Sequence, residues 1–454
     1  VGLRLKNVLL ISYYFPPSGG PGVQRMLKFA RYLPERGYRP VVLTVPETAE
    51  FPVRDPSLLA EIPPECRVVR APIRELYDLY RKLTGRPRAE SIDLHAVSSR
   101  RRGLRERLLR TARGALFIPD GRVGWLPGGV REGLRICGEL PIHAVVATGP
   151  PFTAHWIGRR ISERSGLPLV LDYRDPWTRA PFYPSRPGWA RRLDERLERS
   201  CLLRASRVVT VNRAIRDDLL ARHPRLSPET FEILTNGYDP ADFSGVEPSP
   251  PRAWTLTHTG TLYPSRIPHV LLDVLRGWIR EEPELRTALR LRFAGRIAPE
   301  LQEILARPPF DAIASVEGYV PHRESIRFLV DSHLLLLLIV DDPQSRGMLT
   351  GKVFEYIGSG TPILALAPEG EAADLIRETR AGQVVPPGDA GAIARAIREA
   401  YAAYREGRRP FGEPDAGARE AYARPALTAR LAALLDRLGP PEPPLSPAPP
   451  VDLE

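Results

Sequence analysis

The stretch "GKVFEYIGSGTPILAL", Gly351–Leu366, reads as a helix, a glycine-bounded turn and a buried strand. An α-helix turns about 100° per residue, so Val353, Phe354 and Ile357 share one side. Gly351, Glu355 and Gly358 share another. The first side reads as core. The second is a strip of small residues around one carboxylate, where a ligand can approach the backbone closely. A lone Glu also has a plainer explanation, as an exposed residue of an amphipathic helix. Lys352 stands on the first turn of the same helix, about 60° further round the strip. A cation at a helix N-terminus is mildly unfavourable by itself. A phosphate arriving there makes the cation and the free amides favourable together. Glu355, one turn in, is then placed to accept hydrogen bonds from a vicinal diol. Phosphate on the amides and diol on the carboxylate describe the diphosphate and ribose of a nucleotide.

Strands and helices alternate outward from this stretch along nearly the whole chain. In the first half the spacing predicts strands at Asn7–Ser12, Pro40–Val45, His143–Thr148, Pro168–Tyr173, Arg207–Val211 and Phe231–Leu234. Helices are expected at Val23–Arg36, Thr153–Ser165, Pro187–Arg204 and Arg213–Arg222. The second half predicts strands at Thr255–Thr259, Arg290–Ala294, Ala314–Glu317, His333–Val340, Pro362–Ala365 and Gln383–Val385. Its helices fall near Ile267–Arg280, Arg323–Asp331, Thr350–Gly358, Ala372–Arg380 and Ala390–Glu406. Such alternation implies right-handed βαβ units and parallel sheets covered by helices. Two series make two doubly wound, Rossmann-like domains, whose ligands bind beyond the carboxyl ends of the strands. The Pro- and Ser-rich "GVEPSPPRA", Gly245–Ala253, reads as the linker. The expected organisation is an acceptor domain over 1–245 and a nucleotide domain over 253–415. A last helix, Gly417–Leu438, falls within 416–438 and is placed to cross back to the first domain, ahead of a disordered Pro-rich tail over 439–454.

Length and composition narrow the function. The 454 residues are too many for one ordinary core, and the hydrophobic share of 43% with 26% charged residues is globular. Three separated cysteines, Cys66, Cys137 and Cys201, argue against a disulfide framework or a zinc site and fit a reducing cytosol. The N-terminal "LRLKNVLLISYYF" reads as a strand and not as a signal core. "LLLLLIV", Leu334–Val340, falls far short of the ~20 residues of a spanning helix and suits a strand buried on both faces. The formal charge is +11; four of the 65 basic residues are Lys, leaving 65 − 4 = 61 Arg. That balance permits an anionic partner without choosing one. No basic–aromatic interleaving of a nucleic-acid reader is present, and no nucleic-acid partner is expected.

Three further motifs fall at strand ends. Gly19, Gly20 and Gly22 of "YYFPPSGGPGVQRMLKFARYL" make a turn that opens a helix, where free amides attract an anion. Asp172, Arg174 and Asp175 cluster in "LDYRDPWT", at the end of an expected strand. In "HTGTLYPSR" the strand ends at Gly260, and Arg266 stands just before a helix, placed to hold a diphosphate. The structural alternatives are a generic tight turn, an Arg–Asp pair closing a loop, and one Arg among many.

Here the chain resembles the family 4 glycosyltransferases of GT-B fold. The likeness runs through the Gly-Gly turn, "TNGYDPADF" (Thr235–Phe243), "TGTL…SR", "KVFEYIGSGTPILA" and "VVPPGDAGAIARAI" (Val384–Ile397), in the family's order. "DYRDPWT" narrows it to bacterial members that build cell-surface polysaccharides. The resemblance implies that Gly19 and Gly20 approach the donor diphosphate, that Arg266, six residues after the strand-ending Gly260, binds it, and that Glu355 binds the donor ribose; the helix reading adds Lys352 to the diphosphate. It implies retention of anomeric configuration, no metal and no cofactor beyond the nucleotide-diphosphate sugar, for instance a UDP-sugar. Departures are visible. The family usually carries Glu-x7-Glu, and eight residues before Glu355 stands Gly347. Thr261 replaces a common Arg, and the Asp172–Asp175 cluster stands where a His is common.

The expected activity is therefore transfer of a hexosyl group to a carbohydrate or lipid-linked acceptor, with Asp172, Arg174 and Asp175 as candidate positioning groups. A nucleotide-sugar epimerase of similar plan, or a non-catalytic nucleotide-sugar binder, remain the alternatives. The segment Ser98–Phe117 has seven Arg against one Glu and apolar residues at helical spacing. It predicts a basic amphipathic helix on an anionic membrane, and so a cytoplasmic protein at the inner face of the cell membrane.

Overall fold

The computed structural model describes residues 5–74, 114, 117–180, 183, 186–249, 251–342, 345–347 and 349–439. It divides into two compact units, Val1–Thr235 with Thr428–Glu454, and Asn236–Leu427. The first holds strands β1 (Lys6–Ile11), β2 (Tyr38–Thr44), β3 (Arg67–Arg70), β4 (Ile142–Gly149), β5 (Leu169–Tyr173), β6 (Arg207–Thr210) and β7 (Phe231–Ile233). They form one parallel sheet in the order β3-β2-β1-β4-β5-β6-β7. Helices α1 (Pro21–Tyr32), α2 (Leu126–Glu139), α3 (Thr153–Ser165), α4 (Gly188–Arg204) and α5 (Arg213–Arg222) belong to this unit.

The second unit holds β8 (Trp254–Thr259), β9 (Leu289–Ala294), β10 (Ala314–Gly318), β11 (Leu334–Leu338), β12 (Ile363–Leu366) and β13 (Gly382–Val385). Its helices are α6 (Pro240–Phe243), α7 (His269–Glu281), α8 (Leu285–Ala288), α9 (Pro299–Leu305), α10 (His322–Val330), α11 (Gly351–Ser359), α12 (Glu371–Glu378), α13 (Ala390–Arg405) and α14 (Ala416–Glu420). A further helix, α15 (Arg424–Asp436), carries the chain into the first unit. The second sheet runs β10-β9-β8-β11-β12-β13, all parallel. The strand order reverses between β8 and β11, which leaves a crevice at their carboxyl ends. The five leucines of β11 are buried, as a strand covered on both faces requires.

Each of the twelve expected strands overlaps a strand of the structure; in the first unit β3 and α2 were not expected. β3 is a short edge strand with Arg at both ends, a composition that hides its pairing and suits an edge. Prolines correct two helices. Val23–Arg36 is broken at Leu33, where Pro34 opens a separate 3-10 turn. Gly417–Leu438 is two helices, with Pro425 in the first turn of the second. The units divide at Thr235/Asn236, ahead of Gly245–Ala253. Residues from Asn236 are bound into the second unit: Tyr238 exchanges backbone hydrogen bonds with Tyr422 and Arg424, and Ser249 N–H donates to Asp331. The expected helix Ser98–Phe117 and nearly all of the Pro-rich tail lie outside the described residues.

Candidate functional site

At the carboxyl edge of the second sheet, β8, β9 and β10 run into Gly260, Gly295 and Gly318. Gly260 N–H donates to Ala294 O and Gly295 N–H to Gly318 O, each at 2.6 Å. Gly260 and Gly295 have φ of +106° and +130°, backbone that side chains rarely adopt. A Cβ on Gly295 would stand 2.4 Å from Gly260 O; one on Gly260 would stand 2.5 Å from Lys352 Cε. The space a side chain would fill at Gly260 therefore holds the Lys352 side chain.

Lys352 reaches this point because α11 begins beside the end of β8. Thr259 N–H donates to the Tyr356 hydroxyl at 2.8 Å, which ties strand end to helix. Lys352 Nζ lies 3.3 Å from His258 Nε2, and His258 Nδ1 lies 2.9 Å from Leu336 O. A carbonyl only accepts, so Nδ1 carries the proton and Nε2 accepts from the ammonium. Burial, then the charge of Lys352, hold the His258 imidazole well below its ordinary pKa, consistent with a neutral ring. Burial, then the Arg266 guanidinium, push the Lys352 ammonium down to about 8, against the pull of Glu355. Arg266 ends the 3-10 turn Pro264–Arg266, half-buried, with its guanidinium 5.9 Å from the Tyr263 ring. The N-terminus of α11 has no side-chain cap, and the Thr350 Oγ1 before it is buried with no hydrogen-bond partner among the described residues. Two cations and a helix N-terminus at one strand end can hold an anion of more than one charge.

Glu355 lies one turn further along α11, its side chain 30% exposed. Oε1 is 4.0 Å from His322 Nδ1, and His322 Nε2 is 3.2 Å from Asp242 Oδ2. The first residue of α10 thus stands between two carboxylates, within hydrogen-bond distance of Asp242 and at ion-pair distance from Glu355. Burial raises the Glu355 carboxyl above its ordinary range; His322 opposes this, Asp242 adds to it, and Arg424 and Lys352 oppose it. The strip on α11 is only partly open. A Cβ on Gly351 would meet nothing within 4 Å, whereas one on Gly358 would stand 2.6 Å from the Tyr238 ring. Gly358 is small so that Tyr238 and Phe243 can pack on it, which corrects its place in a ligand-facing strip. Gly347, where the resemblance leads one to expect a Glu, lies in the 3-10 turn Ser345–Gly347.

The first unit places its candidates differently. Asp172 is 2% exposed and accepts from Arg25 Nε at 3.0 and 3.1 Å, Arg25 Nη2 at 2.8 Å and Thr148 Oγ1 at 2.7 Å. Arg25 also donates to Thr235 O and Leu234 O. Burial alone would raise the Asp172 carboxyl; Arg25 outweighs it and holds the group below its ordinary range. Asp172 fastens α1, β4, β5 and the end of β7 together, with no lone pair turned to a ligand. Arg174 donates to Gly22 O at 2.7 Å and to Pro150 O, so it braces the glycine turn. Asp175 is exposed. Gly19 N–H is spent on Val53 O at 2.9 Å, while Gly20, at φ +84°, opens α1 with no side-chain cap. Of the two, Gly20 marks the open helix end. Sequence reasoning missed His258, His322, Asp242 and Thr350. An ionisable residue inside the apolar strand "WTLTHT" was the available signal for His258, and Asp242 lies within a quoted motif.

Among the described residues no group of three or more His, Cys, Asp or Glu is arranged to hold a metal ion, and no helix is long and apolar enough to cross a membrane.

Two parallel, doubly wound α/β units, one with two cations and a carboxylate near its strand ends, define the class of protein. The glycosyl transferase 4-like domain matches residues 19–237, and the glycosyl transferases group 1 domain matches 254–403. The chain belongs to the glycosyltransferases that those two domains describe. Among solved structures, a glycosyltransferase from Rickettsia africae matches with a TM-score of 0.61 and 12% identity, covering 95% of this chain and 98% of that one. Anabaena HepE in complex with UDP-glucose matches at 0.59 and 15%, covering 95% and 100%. A putative UDP-N-acetylglucosamine 2-epimerase from Listeria monocytogenes matches at 0.54 and 11%, covering 96% and 99%. At these identities the likeness is one of fold, and the fold is GT-B. No curated protein matches the sequence significantly.

Proposed function

We propose that the chain transfers a hexosyl group from a nucleotide-diphosphate sugar, a UDP-sugar in the first instance, to an acceptor hydroxyl with retention of configuration. The observation that carries this is Lys352 lying against Gly260, with Arg266, the uncapped start of α11 and Glu355 beside it. The diphosphate would occupy the cationic end and the ribose hydroxyls would donate to Glu355. As the bond from C1 to the diphosphate breaks, negative charge grows on the leaving oxygens, and Arg266, Lys352 and the helix amides stabilise it. The acceptor oxygen bonds to C1 on the same face, and its proton passes to the departing diphosphate. No protein nucleophile and no metal enter this scheme. The first unit takes the acceptor, with Arg174 and Asp175 as candidate positioning groups, and the open helix end at Gly20 stays a candidate for the donor diphosphate. "DYRDPWT" favours a bacterial cell-surface polysaccharide or glycolipid as product, made at the cytoplasmic face of a membrane.

The test begins with a thermal-shift screen of nucleoside diphosphates and their sugars, since a ligand of the folded state raises the melting temperature. The sugar nucleotide that shifts most is then incubated with and without carbohydrate acceptors. Release of nucleoside diphosphate that depends on acceptor, with an α-linked product from an α-linked donor, supports the proposal. An epimerised sugar nucleotide formed without acceptor assigns the epimerase instead, and stabilisation without either product assigns the non-catalytic binder.

A further inference from the structure

Helix α4 has two unlike faces. Inward, Asp194 accepts from Trp177 Nε1 at 3.1 Å and Tyr183 Oη at 2.6 Å, and Glu198 accepts from Thr178 Oγ1 at 2.6 Å and Arg222 Nη1 at 2.7 Å. Those bonds fasten the helix to the loop that follows β5 and to the end of α5. Outward, Trp189, Arg192, Leu193, Arg196, Arg199 and Leu203 fall within about 120° of arc. Trp189 is 60% exposed, Leu193 48% and Leu203 55%, three of the seven large hydrophobic residues exposed among the described residues. A solvent-facing stripe is ordinarily polar.

The arginines of this stripe lack carboxylate partners. Arg192, Arg196 and Arg199 line a hollow of about 430 Å³ with Arg222 and Arg225, beyond the end of α5. Arg222 is held by Glu198 and Asp218. The one acidic residue of the lining, Glu195, is paired with Arg191 at 3.1 Å. Arg192, Arg196, Arg199 and Arg225 make no hydrogen bond or ion pair among the described residues.

We infer that this face of α4 is a seat for an anionic lipid bilayer, with lipid phosphates in the arginine hollow and Trp189, Leu193 and Leu203 at the headgroup–acyl boundary. Arginine stems bury along apolar surface while their heads stay with phosphate. Trp prefers the membrane interface, and basic residues draw it to anionic lipid. A free phosphate would explain the arginines and leave three exposed apolar side chains without a reason. The seat is distinct from Ser98–Phe117 and holds whatever the donor sugar is.

The test uses the full chain with phosphatidylcholine vesicles, with and without phosphatidylglycerol. Wild type should co-sediment with the anionic vesicles at low salt and be released at high salt. Each arginine at such a surface is worth a factor of about five, so Arg192→Glu/Arg196→Glu/Arg199→Glu should bind at least about a hundredfold more weakly, with its melting temperature unchanged. Trp189 is the one exposed Trp, so vesicles should shift wild-type emission to the blue, and Trp189→Phe should remove that shift. If the triple variant fails to fold, Arg196→Gln/Arg199→Gln is measured in its place, with about a 25-fold loss expected. Unchanged binding in the folded arginine variant overturns the inference and moves docking to another segment. Equal binding to neutral vesicles, or inorganic phosphate protecting the chain thermally with no vesicle binding, overturns it as well.

Discussion

Lys352 and Glu355 carry opposite charges one turn apart, and each has a pKa moved by burial toward its neutral form. The Lys352 pKa of about 8 is a free-protein value, and a bound diphosphate favours the ammonium and raises it. Between the free and bound pKa the complex holds one proton more than its parts. Nucleoside diphosphate affinity should therefore fall as pH rises above about 8, by up to tenfold per unit, with proton uptake on binding. Calorimetry in buffers of different ionisation enthalpy measures the uptake, and Lys352→Met should abolish both it and the slope. A flat profile in the wild type would remove Lys352 from the diphosphate. For Glu355, hydrogen bonds from the ribose to a charged group are worth about 1.5–3 kcal/mol, so Glu355→Ala should weaken donor binding about 10- to 150-fold. The sharper readout is preference. Wild type should favour the ribonucleotide over its 2′-deoxy form, and the mutant should largely lose that preference, a coupling that a change in stability cannot imitate.

Among the elements, the contact of α11 with the end of β8 brings Lys352 to Gly260, and the Arg25–Asp172 pair ties α1 to β5 and to the end of β7. Arg25 and Asp172 are 1% and 3% exposed at the side chain, and each is the other's charge partner. Removing one leaves the other buried and uncompensated. Asp172→Ala should cost about 3–5 kcal/mol in urea-induced unfolding. A group used only in chemistry would behave otherwise: activity would vanish while the unfolding midpoint stayed in place. His322 belongs to this scale too, since the N-terminus of α10 brings it between Asp242 and Glu355.

Over the whole molecule the scheme is electrostatic, with protein cations and helix amides balancing the leaving diphosphate. Transferase activity should survive EDTA, measured as acceptor-dependent nucleoside diphosphate release. Complete loss that Mg²⁺ or Mn²⁺ restores would give the diphosphate to a metal and take Arg266 and Lys352 out of that role.

The strand–helix alternation was legible because each element's period is local: five leucines in a row and a glycine after a strand need no partner to be recognised. Two doubly wound units, the strand-end position of Gly260, and the Lys352–Glu355 spacing on one helix all follow from such local signals. Prolines set helix ends that periodicity alone ran through, at Pro34 and Pro425. What the tertiary structure decided is which polar groups are occupied. Asp172 and Arg174 read as a cluster at a strand end, yet Asp172 is consumed by Arg25, 147 residues away, and Arg174 by Gly22 and Pro150. Gly358 read as room for a ligand and is filled by Tyr238. His258 had only a weak local signal, an ionisable residue in an apolar strand, and His322 had none, because their meaning comes from Lys352 and Glu355, which reach them across the sheet edge and between helices. Hydrogen-bond partners distant in sequence fix the fate of a polar side chain, and only the fold brings them within about 3 Å of it.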